Sequence, residues 1–112
     1  MSKSLAAGRI VTLDAITSIA RTLGAPAPSE DTLAMARDLV ESVTVVSDAE
    51  ALAALRFLLE RLKVLTEPAA SCTLAAAERL KDQFSKERHV VLLLCGGNMP
   101  MEDLARLPGP QA

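Results

Sequence analysis

Stretches with apolar residues every three or four positions alternate along this chain with two short, continuous apolar runs, and capping or turn residues separate them. The opening segment, MSKSLAAGRIVTLD, mixes small and polar residues and shows no apolar face. Ile16, Ile19, Ala20 and Leu23 then recur at helical spacing. They predict a helix from Ala15 that Gly24 and Pro26 stop. Ser29 is placed to cap a helix over residues 31–41, with Glu30 and Asp31 near its positive end and Leu33, Ala36 and Val40 on one side. Residues 43–47 are short and β-branched, as a strand is. Ser47 and Glu50 make the S-x-x-E pattern of a capping box. The helix behind it, to Leu62, carries Leu52, Leu55, Phe57, Leu58 and Leu59, a stripe too broad for a free surface helix. An Ala-rich helix follows from Pro68, well placed in a first turn, to Phe84. Residues 86–89 form a charged turn, residues 90–94 a fully apolar strand, and a last helix starts near Pro100.

This order is α/β. A fully apolar strand belongs inside a parallel sheet covered on both faces. Two strands are fewer than a sheet normally has, so residues 1–112 read as a single partial domain. Composition narrows the rest. Phe57 and Phe84 are the only aromatic residues, so the core must come from Leu, Val, Ile and Ala. A net charge of −2 is no nucleic-acid footprint. No apolar run is long enough to cross a bilayer, and two cysteines without metal-ligand spacing suit a reducing compartment. The expectation is a cytoplasmic polypeptide.

Candidate chemistry gathers at two places. In "LLLCGGN" a strand runs into Cys95, Gly96, Gly97 and Asn98. A Gly-Gly turn exposes successive N–H groups and admits a close ligand, and open α/β sheets bind ligands at the carboxyl ends of their strands. On spacing alone, a tight strand-to-helix turn with an inert cysteine explains it as well. In "TEPAASC", Glu67 precedes Pro68 at a helix N-terminus, where a carboxylate is favoured by the dipole. Cys72 reads as core, and His89 as a solvated turn residue. No set of residues has metal-ligand spacing.

Three segments in register carry a family resemblance: "ITSIARTLGA", "VTVVSDAEALAALRFLLERLKVLTEPAASCTLAAA" and "VVLLLCGGNMPMEDL". Together they resemble the C-terminal third of a pyridoxal-phosphate-dependent serine/threonine dehydratase, in the fold-type-II group that includes serine racemase. The resemblance covers about Leu5 to Leu107. It implies a partial three-layer sandwich, with helices on a small, mostly parallel sheet, and an amino-acid substrate. It gives Cys95 the role of hydrogen-bonding the pyridine nitrogen of pyridoxal phosphate, as in the serine-dehydratase-like branch. A thiol is too weak an acid to hold a full pyridinium, so that nitrogen should be largely neutral. Gly96 and Gly97 would leave room for the ring edge, Asn98 would fix the turn and cap the next helix, and Glu67 would face the ring region. The backbone carbonyls of Leu23 and Ala25 would help bind a monovalent cation such as K+.

The sequence departs from the family pattern in two respects. None of Lys3, Lys63, Lys81 or Lys86 lies in the Ser-x-Lys-x-Arg-Gly context of the family's Schiff-base lysine, and the glycine-rich phosphate loop is missing. An internal start or a truncated gene would produce such a chain. Two function classes follow. One is part of an ammonia-lyase that converts L-serine or L-threonine to a 2-oxo acid and ammonia, inactive alone and associating with the missing half. The other is a non-catalytic module that self-associates through exposed apolar edges.

Overall fold

The computed structural model describes residues 1–105 and residue 107. The chain divides into two compact units, Met1–Val45 and Val46–Ala112.

In the first unit, α1 (Ser2–Ala7) ends at Gly8, whose left-handed backbone (φ 66°) turns its N–H onto the Leu5 carbonyl at 3.2 Å. This helix has no apolar face to mark it in the sequence, because its one buried side chain is a serine. The Ser4 hydroxyl accepts from Val11 N–H at 2.9 Å. The helix expected from Ala15 to Pro26 does not form; only a 3-10 turn, Arg21–Leu23, is present. Ile16, Thr17, Ile19 and Thr22 are stiff at χ1 and resist a helix. The Ser18 hydroxyl takes the Ala20 N–H at 3.1 Å, a local bond that competes with the helical ladder. The Pro26 carbonyl instead accepts from Leu13 N–H at 2.8 Å, closing the segment as a loop. The second helix, α2 (Glu30–Leu39), starts as expected. Ser29 accepts from Thr32 N–H, Leu33 and Ala36 are buried, and α1 packs against it.

In the second unit, α3 (Asp48–Phe57) carries a complete capping box. Ser47 Oγ accepts from Glu50 N–H at 3.3 Å, and the Glu50 carboxylate accepts from Ser47 N–H at 2.6 Å. The helix continues as one π-turn, Leu58–Leu62, and stops at Lys63 in the left-handed region (φ 58°). Next comes α4 (Pro68–Leu80), with Pro68 in its first turn and a 3-10 extension at Lys81–Gln83. It packs on α3 through small residues: Ala51 and Ala54 on one helix, Ala70, Ser71 and Ala75 on the other, with Leu55 and Leu58 fully buried. At its centre the Ser71 hydroxyl donates to the Ala51 carbonyl at 2.7 Å. Last comes α5 (Met101–Leu104).

The expected sheet is not seen among the described residues. Among the described residues none is in a strand ladder. The expected strands, 43–47 and 90–94, run outside any helix without a neighbouring strand, and no N–H of residues 90–94 donates to a backbone carbonyl. A strand is defined by its neighbours, and among the described residues neither apolar segment has one.

Candidate functional site

The approach to α4 builds the site. Beyond Lys63 the chain runs through Val64, Leu65 and Thr66 to Glu67, which is the N-cap of α4 with an extended backbone. Pro68 fixes the first helical φ and needs no N–H partner. The Glu67 N–H, at the N-cap, has no acceptor within the helix, and it donates to the Gly96 carbonyl at 3.0 Å. This bond ties the start of α4 to the turn after the apolar segment 90–94.

Glu67 as a residue is only 9 % exposed, and its carboxylate lies along that turn. A methyl group on Gly96 would fall 2.6 Å from Glu67 Oε1 and 3.1 Å from its Cδ; one on Gly97 would meet the Leu65 carbonyl at 3.1 Å. A methyl at Gly96 would thus have to displace the Glu67 carboxylate, and one at Gly97 would press on a backbone carbonyl. The Met99 N–H closes the turn onto the Gly97 carbonyl at 2.8 Å.

The two cysteines separate sharply. Cys95 is exposed where the apolar segment meets the Gly-Gly turn. Cys72 is half-buried on α4, donates to the Pro68 carbonyl at 3.3 Å, and has its thiol pKa pushed up by burial, with the Asp48 charge adding to it. It is an inert core thiol, as its position on the helix suggested. Asn98 is exposed and does not cap the helix that follows; Pro100 is the N-cap of α5, without a side-chain bond. Proline fixes the entry φ there, so no side-chain acceptor is needed to set it.

Leu23 and Ala25 lie in the first unit on either side of Gly24, at the end of the 3-10 turn. A methyl on Gly24 would meet Ile16 Cγ2 at 2.7 Å and the Arg21 carbonyl at 2.9 Å, so the loop is drawn tightly together there. His89 and all four lysines are exposed; the Lys63 ammonium donates to the Glu60 carbonyl at 2.8 Å. No lysine is desolvated in the way an amine nucleophile requires. Sequence reasoning missed Leu65, whose carbonyl carries no sequence signature, and Thr66, which is buried (2 % exposed) with its hydroxyl unpartnered among the described residues. Among those residues no three His, Cys, Asp or Glu groups could hold a metal ion, and no helix is long and apolar enough to cross a membrane.

The glycine turn, the exposed Cys95 thiol and the Glu67 side chain packed against Gly96 thus lie together at the start of α4. The family model for pyridoxal-phosphate-dependent enzymes matches residues 1–96, and the chain belongs to that family. It is 38% identical over 103 residues to a serine dehydratase-like protein of Rattus norvegicus, covering 85% of this chain and 31% of that one. Its backbone matches a fungal L-serine ammonia-lyase from Rhizomucor miehei with a TM-score of 0.79 at 29% identity, over 94% of this chain and 35% of that one. Maize serine racemase matches with a TM-score of 0.78 at 34% identity, over 94% and 34%. These neighbours are fold-type-II enzymes. The chain spans about a third of the length of the relatives it matches.

The residues present fit the cofactor's edge. Gly96 and Gly97 admit no side chain that would block a ring, and Cys95 presents an accessible group able to donate or accept a hydrogen bond.

Proposed function

We propose that this chain is the C-terminal third of a pyridoxal-phosphate-dependent ammonia-lyase acting on L-serine or L-threonine, and that it supplies the wall of the site that meets the pyridine nitrogen. The observation that carries this reading is the Cys95–Gly97 turn, open at the thiol and fixed by the Glu67 N–H to the Gly96 carbonyl. Bound pyridoxal phosphate draws electrons from the substrate's α-carbon, easing loss of the α-proton and of the β-hydroxyl. Cys95 meets the ring nitrogen as a neutral partner and so leaves it unprotonated. Gly96 and Gly97 keep the ring edge clear. Glu67 orients the turn through its N–H and flanks it with its carboxylate. The Leu23 and Ala25 carbonyls would be two ligands of a monovalent cation such as K+. Alone the chain binds the cofactor weakly and is inactive, because its lysines are solvated.

Two assays test this. The purified chain with pyridoxal phosphate should give no 2-oxo acid from L-serine or L-threonine above the rate of the free cofactor, and borohydride should fix no cofactor on any lysine. Grafted in place of the matching third of the rat relative, the chain should support 2-oxo acid formation that Cys95→Ala reduces while cofactor absorbance is retained. Enzymatic turnover by the chain alone sinks the proposal. A graft that interconverts serine enantiomers without releasing 2-oxo acid assigns the chain to the racemases instead.

A further inference from the structure

The start of α4 carries Glu67 and, through it, the Gly-Gly turn, yet it lacks the device that starts α2 and α3. Ser29 and Ser47 cap those helices with their hydroxyls, whereas Glu67 gives α4 no side-chain cap. First turns without such a cap fray. Here the backbone of Glu67 is held on both sides. Its carbonyl accepts from Ala70 N–H at 3.1 Å and from Ser71 N–H at 3.2 Å, and its N–H donates to the Gly96 carbonyl. Ser71 then anchors this turn to α3. Its hydroxyl faces the Pro68 carbonyl at 2.9 Å and the Ala51 carbonyl at 2.7 Å, and the residue is fully buried. A helical serine or threonine ordinarily returns its bond to the turn before it, as Thr73 does to the Ala70 carbonyl at 2.8 Å. The shorter contact of Ser71 leaves its own helix for the neighbouring one, 20 positions back.

Ala51 is a fixed anchor. It is buried, its N–H donates to the Ser47 carbonyl at 3.0 Å, and it lies one turn inside the capping box. Hydrogen bonds therefore run from residue to residue, from that box through Ala51, Ser71 and Glu67 to Gly96, which follows Cys95. Packing asks only for a small residue at position 71, which an alanine would satisfy. The hydroxyl adds a directed bond between the helices, and connected bonds of this kind rigidify what they join. We propose that Ser71 is a positioning residue: it holds the first turn of α4 to α3, so that Glu67 keeps the Cys95–Gly97 turn in place for the ligand that turn meets. The tie stands on these bonds alone; its bearing on the reaction rests on the function proposed above. A reacting group displaced by one ångström costs on the order of a hundredfold in rate, so a turn that loosens only slightly is felt in turnover.

Amide hydrogen exchange of the chain tests the tie. In the unaltered protein the Glu67 and Ser71 amides should be protected alike, as groups that open together are. A Glu67 amide that exchanges faster than that of Ser71 by about tenfold or more overturns the proposal without any variant. Ser71→Ala should speed exchange at Glu67 about tenfold relative to the Leu55 amide in the core of α3, a ratio that cancels any loss of global stability. Ala75→Gly weakens the same helix contact further along α4 and should leave that ratio unchanged. An unchanged ratio in Ser71→Ala, or an equal rise in both variants, reduces Ser71 to packing and overturns the proposal. In the graft onto the rat relative, Ser71→Ala should lower kcat about tenfold with little change in KM for L-serine, because the turn meets the cofactor; Ala75→Gly should leave kcat intact. A kcat that Ser71→Ala does not move overturns the positioning role even where exchange rises. A graft that makes no 2-oxo acid with Ser71 in place fails the function proposed above, and the exchange ratio then decides the tie by itself.

Discussion

Thr66 is a buried hydroxyl that finds no hydrogen-bond partner among the described residues. An orphaned buried donor costs about 1–3 kcal/mol, and an apolar group of the same shape carries no such penalty. Thr66→Val should therefore raise stability by about 1 kcal/mol in urea unfolding; a loss would show that the hydroxyl has a partner in solution. Gly96 sets a different constraint. A methyl there enters the space of the Glu67 carboxylate, so Gly96→Ala should cost about 1–3 kcal/mol as overpacking does. Because the obstacle is one side chain, Glu67→Ala should relieve much of that cost, and the double-mutant cycle should show coupling well above the few tenths of a kcal/mol typical of distant sites. Additive costs would mean that the turn, and not the carboxylate, resists the methyl. The glycines were legible as a turn from sequence. Their reason was not, since Glu67 lies 29 positions away and is placed by one backbone bond.

At the scale of elements, the helix starts were legible and one helix was not. Ser29 and Ser47 cap as their sequence patterns indicate, because a cap is decided within four residues. The segment from Ala15 has helical spacing of its apolar residues but β-branched content and a competing serine, and the local bonds win. The capping box reaches further than its helix. Glu50 also takes an ion pair from Arg79 at the far end of α4. Hydrogen bonds from Ser47 N–H, then its hydroxyl, then Arg79 hold the Glu50 carboxyl down at about 2 against an ordinary 4.5. A carboxyl pKa lowered by folding adds stability that is complete above the unfolded pKa and is lost as pH falls towards the folded one. Stability should thus decline between pH 4.5 and about 2, and Glu50→Gln should flatten that decline in acid-titration unfolding. An unchanged pH profile in the variant would assign the acid sensitivity elsewhere. Between the same helices, Ser71→Ala removes the donor to the Ala51 carbonyl in a fully buried position. It should cost about 1–2 kcal/mol in thermal or urea unfolding, and a neutral outcome would mean that the helices close over the gap.

Across the whole molecule, the family was legible because its signals are local and lie in order along the chain. The sheet was not, because residues 43–47 and 90–94 have the composition of strands, while a strand is made by its neighbours and none is formed among the described residues. The same exposure that leaves the apolar segment bare leaves Cys95 bare at its end, whereas Cys72 is half-buried with its thiol pKa raised. Thiol reagents attack the accessible thiolate and spare the buried thiol. The native chain should therefore take up one equivalent of a maleimide quickly, at Cys95, and a second only on unfolding, as peptide mass mapping would report; equal labelling of both would mean that α4 opens readily. A fluorophore attached this way would stand where the exposed apolar segment meets the Gly-Gly turn, so the protein carries a built-in position for an optical probe of that turn's surroundings.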